Sequence, residues 1–461
     1  VTVIKNYDET GEFTELQHIV YVTYDRYGNA LEQTIDTYLS QTMDEAELKD
    51  HKRILNSYVD PVTKEVNVWA QRKGNAVTTE VLRYASLTEN IDTEIDRTFT
   101  YTTEYDSRGN AIWSLTDTFV VDKITDPAAP SEKLATRRKV HNININNRGD
   151  SETQEITTWT TDETGLEASL EVTNYQVITN REYDSEHNVV NQMIFTYTEE
   201  SGELLDVQEI RSIGYHSSGT AIKQIIATYV DELKTELLDV KVVENFNIDS
   251  SGNVGTTVIT KYGECSISDG GIGEIIPTSG TEIDRQTIIT TEYDIRNNSI
   301  EQQIEKEYFD DKTGTFIFSE TQFITNSGYD FHDRVSDTVI KNYNEAGEFT
   351  ELQHIVYETY DRYGNALEQT IDTYLSLTMD ATKLLDHKRI INSYVDPETG
   401  LVNAWAQRKG NPVTSEVTKY SSLSETMLTE IDRTFTYTTV YDARGNAVWS
   451  MSDTYVVDRL T

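Results

Sequence analysis

The sequence predicts an all-β protein: a long antiparallel meander of hairpin repeats forming one continuous coiled or tubular sheet. Three observations lead there. Apolar and polar residues alternate, turns built on Asp and Gly or Asn recur between the alternating segments, and the chain repeats itself at long range.

The alternation is clearest from Ile95 to Tyr105. Ile95, Phe99, Tyr101 and Tyr105 share one face, and Asp96, Thr98, Thr100, Thr102 and Glu104 the other. Ala111, Trp113, Leu115, Phe119 and Val121 continue the apolar face in the next segment. Period two is the signature of a strand with one face buried and one wet. The strands expected are about 10–13 residues long, or roughly 35–40 Å.

The turns have a mechanism. Tyr24-Asp25-Arg26-Tyr27-Gly28-Asn29 returns as Tyr105-Asp106-Ser107-Arg108-Gly109-Asn110, as Tyr360-Asp361 through Gly364-Asn365, and as Asp442 through Gly445-Asn446. Degenerate forms stand at Tyr183 to Asn188, Tyr215 to Gly219, Asp249 to Asn253 and Tyr293 to Asn298. An Asp side chain opens a type I turn, and Gly or Asn three residues later accepts positive φ and the bulge that suits strand twist. A second family falls between many of these, at Asp8 to Gly11, Asp162 to Gly165, Ser201-Gly202, Asp311 to Gly314 and Asp396 to Gly400. Longer breaks are expected at 41–50, 125–135 and 264–281, with a helical turn from Met43 to Leu48 capped by Asp44.

The segment from Thr2 returns from Thr338, an offset of 336 residues, and about three quarters of the 125 aligned positions are identical. We therefore divide the chain into one full period, 1–336, and a partial second copy, 337–461, which matches 1–125. Substitutions cluster at Glu45, Ala46, Glu47 and Lys49 and at Asn90, Ile91 and Asp92, as loop tips allow. About 19 turns fall in a period, whereas a strict meander needs an even number. One of them is expected to be a bulge or crossover, with Arg72 to Asn75 and Asn326 to Asp333 as the suspects.

The Tyr-Asp-Xaa-Xaa-Gly-Asn turn after an aromatic strand resembles the YD repeat of Rhs-type and teneurin-type proteins. That resemblance implies β-hairpins winding into a hollow spiral shell, used as a toxin casing or an adhesion module. It covers turn positions along most of the chain.

Composition narrows the partners. Asp+Glu 79 against Lys+Arg 39 gives a formal net charge of -40. Nucleic acid and anionic lipid need a basic face, so neither is expected, and no apolar run reaches membrane-spanning length. Cys265 stands alone, so no intrachain disulfide framework exists.

Candidate sites are few. Asn247, Asp249, Ser251 and Asn253 place oxygens at alternate positions around Gly252, as calcium loops do, and calcium is the one cofactor candidate. That segment has no distal Glu for a bidentate contact, and a plain hairpin turn uses the same residues. The eight histidines, His18, His51, His141, His187, His216, His332, His354 and His387, read as packed or surface groups. Trp69, Trp113, Trp159, Trp405 and Trp449 suit either glycan stacking or cross-strand packing. No run with the pattern of a metallohydrolase, nucleophile elbow or phosphate loop occurs, and no enzyme is expected.

The reading that follows is a structural repeat segment of a large extracellular or cell-surface protein that assembles with itself, or with further repeats of the same chain, into a fibre, tube or shell. The alternatives are the stalk of a surface adhesin that binds glycans or proteins, and the wall of a YD-repeat toxin casing. The first strand, Val1 to Tyr7, and the run Thr454 to Val457 are expected to be open sheet edges through which copies pair.

Overall fold

The computed structural model describes residues 1–7, 11, 13–125 and 127–458. The turn expected at Asp8 to Gly11 rests on Asp8, Glu9 and Thr10, which lie outside the described residues, as does Asp126 in the break expected at 125–135.

The chain is an all-β meander. Twenty-five strands form one sheet, and each pairs antiparallel with its chain neighbours, from Thr2–Tyr7 to Ala447–Val456. The strand Val254–Tyr262 pairs directly with Glu282–Tyr293. The small hairpin Cys265–Ile267 with Ile275–Pro277 between them leaves the sheet and pairs within itself. Among the described residues, eighteen sheet strands precede Asp337–Tyr343, so the second copy starts in the same direction as the first. The surplus turn is at Arg72 to Asn75, where the chain closes a short helix, Val68–Lys73, and makes no hairpin. The sequence carried its signals: Asn67 caps the start by accepting from the Ala70 amide, and Gly74 ends it at φ 78°. The turn expected at Met43 to Leu48 is a 3₁₀ helix, Glu45–Glu47, with the Asp44 side chain accepting from the Ala46 amide at 3.1 Å.

Because strands alternate in direction, the ribbon has two edges of different make. One holds all the Tyr-Asp-Xaa-Xaa-Gly-Asn turns and both helical loops, 58–77 and 394–413; we call it the Gly-Asn edge. The other holds the remaining loops, among them 39–47, 85–93, 161–170 and 263–281; we call it the loop edge.

The expected division into one dry and one wet face is only partly what the strands show. Most strand residues are half-buried on both faces, and full burial gathers in a band close to the loop edge. Thr37 and Tyr38, adjacent and on opposite faces, are both buried, as are Asp50 and His51. The reason is that loop residues fold back over the strand ends: Glu89, in loop 85–93, reaches the His51 ring. Elsewhere the core is local. The hairpin 265–277 lays Ile275 over Val207, Ala227 and Val240, and the helix Val68–Lys73 buries Ala70 against Tyr58 and Val77. Burying each such large apolar side chain stabilises by about 1.5–3 kcal/mol.

The ribbon also coils back on itself. Phe331 packs on Val120 and Ala135, residues about two hundred positions earlier.

Candidate functional site

The Gly-Asn turns are built alike. In Asp25, Asp106, Asp361 and Asp442 one carboxylate oxygen accepts amides two and four residues on, and the other accepts the Asn side chain at 2.9 Å. Gly28 and Gly109 sit at φ 87° and 101°, where a side chain would be strained. His187 and Asn297 occupy the same place at φ 70° without that freedom. Burial would raise the Asp106 carboxyl, but the bonds from Asn110 and Arg108 outweigh it and hold it well below the usual carboxylate range.

The residues offered for calcium form this same turn. Asp249 accepts from the Ser251 and Asn253 amides at 2.7 and 3.0 Å and from the Asn253 side chain at 3.0 Å. Asn247 lies at φ 54°, its amide 3.5 Å from Thr256 Oγ1. Among the described residues no group of three or more His, Cys, Asp or Glu converges as a metal site.

Sequence reasoning missed what the Tyr before each Asp does. The Tyr105, Tyr183, Tyr360 and Tyr441 hydroxyls donate to the carbonyls of Ala76, Ser151, Val335 and Pro412, at 2.5, 2.6, 2.6 and 2.6 Å. Three residues before two of the tyrosines of this kind stands an Asn that serves the same acceptor: Asn180 joins Tyr183 on Ser151, and Asn326 joins Tyr329 on Ser299. The spacing Asn-Xaa-Xaa-Tyr was the available signal. These bonds tie their turns to the base of the neighbouring strand, whereas Tyr24, in the first such turn, is exposed. Arginines then staple successive turns: Arg108 donates to the Ile145 carbonyl at 2.7 Å, Arg148 to Asp184 at 2.7 Å, and Arg334 to Asp361 at 2.9 Å.

The arrangement with most functional content lies where the second coil's Gly-Asn edge rests on the first coil's loop edge. Arg362 donates to the Ser169 carbonyl at 2.7 Å and pairs with Glu171 at 3.1 Å. Arg408 donates to the Val172 carbonyl at 2.9 Å while its guanidinium lies 3.7 Å from the Tyr363 ring centroid. Lys409 meets Asp206 at 3.1 Å. Phe331, 4% exposed, anchors one end with Lys133 over its ring. His332 lies 3.5 Å from Thr161 Oγ1 and from the Asp162 carbonyl, and burial beside Arg334 lowers its pKa to about 4. The hydrogen-bonded partners across this contact are 170 to 236 residues apart. Charge-assisted hydrogen bonds of this kind contribute about 1.5–3 kcal/mol each when shielded from water.

Two further clusters were invisible to sequence patterns, because their members come from different strands. Glu209, fully buried, takes Arg181 at 2.7 Å, Lys234 at 2.7 Å and Arg211 at 3.1 Å, and Arg211 also holds the Gly273 carbonyl of the small hairpin. Asp36 lies between His18 at 3.0 Å and His51 at 2.5 Å, and the second copy repeats the short contact between Asp372 and His387. Of the tryptophans, Trp113 stacks on His141 at 3.7 Å, Trp69 faces Tyr105 at 6.3 Å, and Trp405 packs on the Ala406 cluster. Trp159 is half-buried and Trp449 is exposed. Among the described residues, no helix is long and apolar enough to cross a membrane.

No family model matches the chain, and no curated protein matches it. Two solved structures of TcdB2-TccC3 align with it. The one without the hypervariable C-terminal region does so at 11% identity and TM-score 0.20, over 97% of this chain and 27% of that one. The second does so at 8% identity and TM-score 0.17, over 94% and 29%. This chain therefore spans under a third of the length of either, and a likeness at those scores carries no argument here.

Proposed function

We propose that the chain is a structural segment of a large repeat protein, a wall or shaft built by winding one β-ribbon so that each coil rests on the last. The observation that supports this reading is the contact of Arg362, Arg408 and Lys409 with the loop edge of the preceding coil. Its residues recur at the repeat offset as Arg26, Arg72 and Lys73, so the contact can recur once per period. No catalytic step is assigned to any residue. Placement outside the cell or on its surface belongs to this proposal, as does assembly with copies of the same chain.

One expected route of assembly meets a physical obstacle. The first and last strands of a 25-strand meander run in the same direction, so a copy added head to tail would meet its neighbour in parallel register, and only first-to-first or last-to-last contacts about a two-fold would be antiparallel like the pairs of the sheet. Assembly through the coil edges needs no such change. Negative-stain microscopy and light scattering of the 461-residue chain at micromolar concentration and physiological salt test the reading. Elongated or closed particles built from stacked coils are expected. Monodisperse monomers at all concentrations would instead support the stalk of an adhesin.

A further inference from the structure

The second copy docks through Arg362, Tyr363, Arg408 and Lys409, and the first copy carries the same residues as Arg26, Tyr27, Arg72 and Lys73. The local scaffold is also the same. Asn29 donates to the Gln71 carbonyl at 2.7 Å and Asn365 to Gln407 at 2.8 Å, which locks each turn to its helix. In the second copy these side chains are half-buried by the loop edge of the earlier coil. In the first they are exposed, with Tyr27 at 40% and the neighbouring Trp69 at 41%. One molecule thus shows the same surface both docked and free.

We infer that the free cluster of Arg26, Tyr27, Trp69, Arg72 and Lys73 is a docking surface whose occupant is the loop edge of a second copy of this chain. The inference rests on the wall-or-shaft reading and names the surface that would do the joining. Three observations favour that occupant. The docked duplicate shows what the surface recognises: strand-base carbonyls such as Ser169 and Val172, flanked by carboxylates such as Glu171 and Asp206. The loop edge beyond Asp206 offers the same chemistry, with Glu232, Glu236 and Asp311 exposed and Leu233 at 82% exposure as apolar ground for Tyr27 and Trp69. The backbone that carries the cluster is already locked as in the docked copy, so no loop ordering opposes binding. A Gly-Asn edge seated on another molecule's loop edge is a head-to-tail contact, and such contacts extend into filaments unless the rotation closes them.

Sedimentation velocity of the full chain across a micromolar dilution series tests this, comparing wild type with the triple variant Arg26→Glu, Arg72→Glu, Lys73→Glu. Wild type is expected to associate, and the variant to associate at least about tenfold more weakly, as reversal of interface charge requires. Circular dichroism and melting should be unchanged, because the three side chains are exposed; the neutral variant Arg26→Gln, Arg72→Gln, Lys73→Gln covers any misfolding of the first. Association of equal strength in the triple variant would overturn this surface and leave the structural reading standing. A wild type that stays monomeric throughout would overturn both.

Discussion

The two copies of the repeat are one sequence in two settings. Pair registers recur with the offset of the sequence: Leu16 faces Tyr38 and Leu352 faces Tyr374, while His51 faces Tyr84 and His387 faces Tyr420. What changes is the neighbour. Ala111–Asp122 lies between two strands, and Val120 and Val121 are 6% and 7% exposed. Its duplicate Ala447–Val456 has one partner, and Val456 is 74% exposed. Trp113 stacks on His141, from the following strand, and Trp449, with no such strand beside it, is 70% exposed. At the Gly-Asn edge the order reverses: the first copy's tip cluster is free and the second copy's is docked. In a repeat ribbon, then, sequence sets register and turn, and position in the winding decides which side chains are buried.

The largest effect that can break this comparison comes from charge reversal at the two tips. Arg362→Glu with Arg408→Glu should cost about 3 kcal/mol, because two shielded guanidinium–carbonyl bonds are lost and two carboxylates face Glu171 and Asp206. Arg26→Glu with Arg72→Glu should cost under about 0.5 kcal/mol in the monomer. Denaturant melts of both variants, below the concentration at which the chain associates, are the check; equal losses would mean the coils do not touch.

At the docked coil, acid should act through His332. The His332 ring is held neutral, its pKa lowered to about 4 by burial and by Arg334. A depressed histidine stabilises the fold fully above its ordinary value near 6.5, and that contribution is lost as pH falls through about 4, a loss of roughly 3 kcal/mol. His332→Gln should flatten stability between those pH values. The opposite sign holds at Glu94, which burial, reinforced by Glu132, raises to about 7. Its contribution is fully present below about 4.5 and lost as pH rises through about 7, so Glu94→Gln should stabilise at pH 8 by about 1–2 kcal/mol. A melt showing no gain at that pH would remove Glu132 from the account.

The smallest effect sharpens the comparison at a single residue. Lys64 sits at φ 61° where its duplicate, Gly400, sits at φ 70°. Lys64→Gly should stabilise by about 0.5–1 kcal/mol and Gly400→Lys should destabilise by a similar amount, since only the glycine is free of strain there. Thermal melts of the two single variants decide it.

Much of the fold was legible in the sequence because meander pairing is local: each strand's partner is the next alternating segment, and Asp25 to Asn29 or Asp106 to Asn110 announce the join. The helix Val68–Lys73 does not stand out in the sequence although Asn67 and Gly74 cap it, because six residues are too few to show a 3.6-residue period. The Asn180 and Tyr183 bonds to one carbonyl were legible only as a spacing. Nothing in the sequence pairs Arg362 with Ser169, or Glu209 with Arg181, Arg211 and Lys234. Such contacts follow from how far the ribbon twists and coils, which no local pattern encodes.

Small-angle X-ray scattering of the dilute 461-residue chain tests the coiling most directly. A flat ribbon of 25 strands would span about 115 Å across its strands, with a radius of gyration near 35 Å. A compact chain of this length would give about 23 Å. The coiled ribbon predicts a radius of gyration below about 30 Å that expands toward the flat-ribbon value in Arg362→Glu, Arg408→Glu, Lys409→Glu. A wild-type value near 35 Å, unchanged in that variant, would contradict the winding of one coil on another.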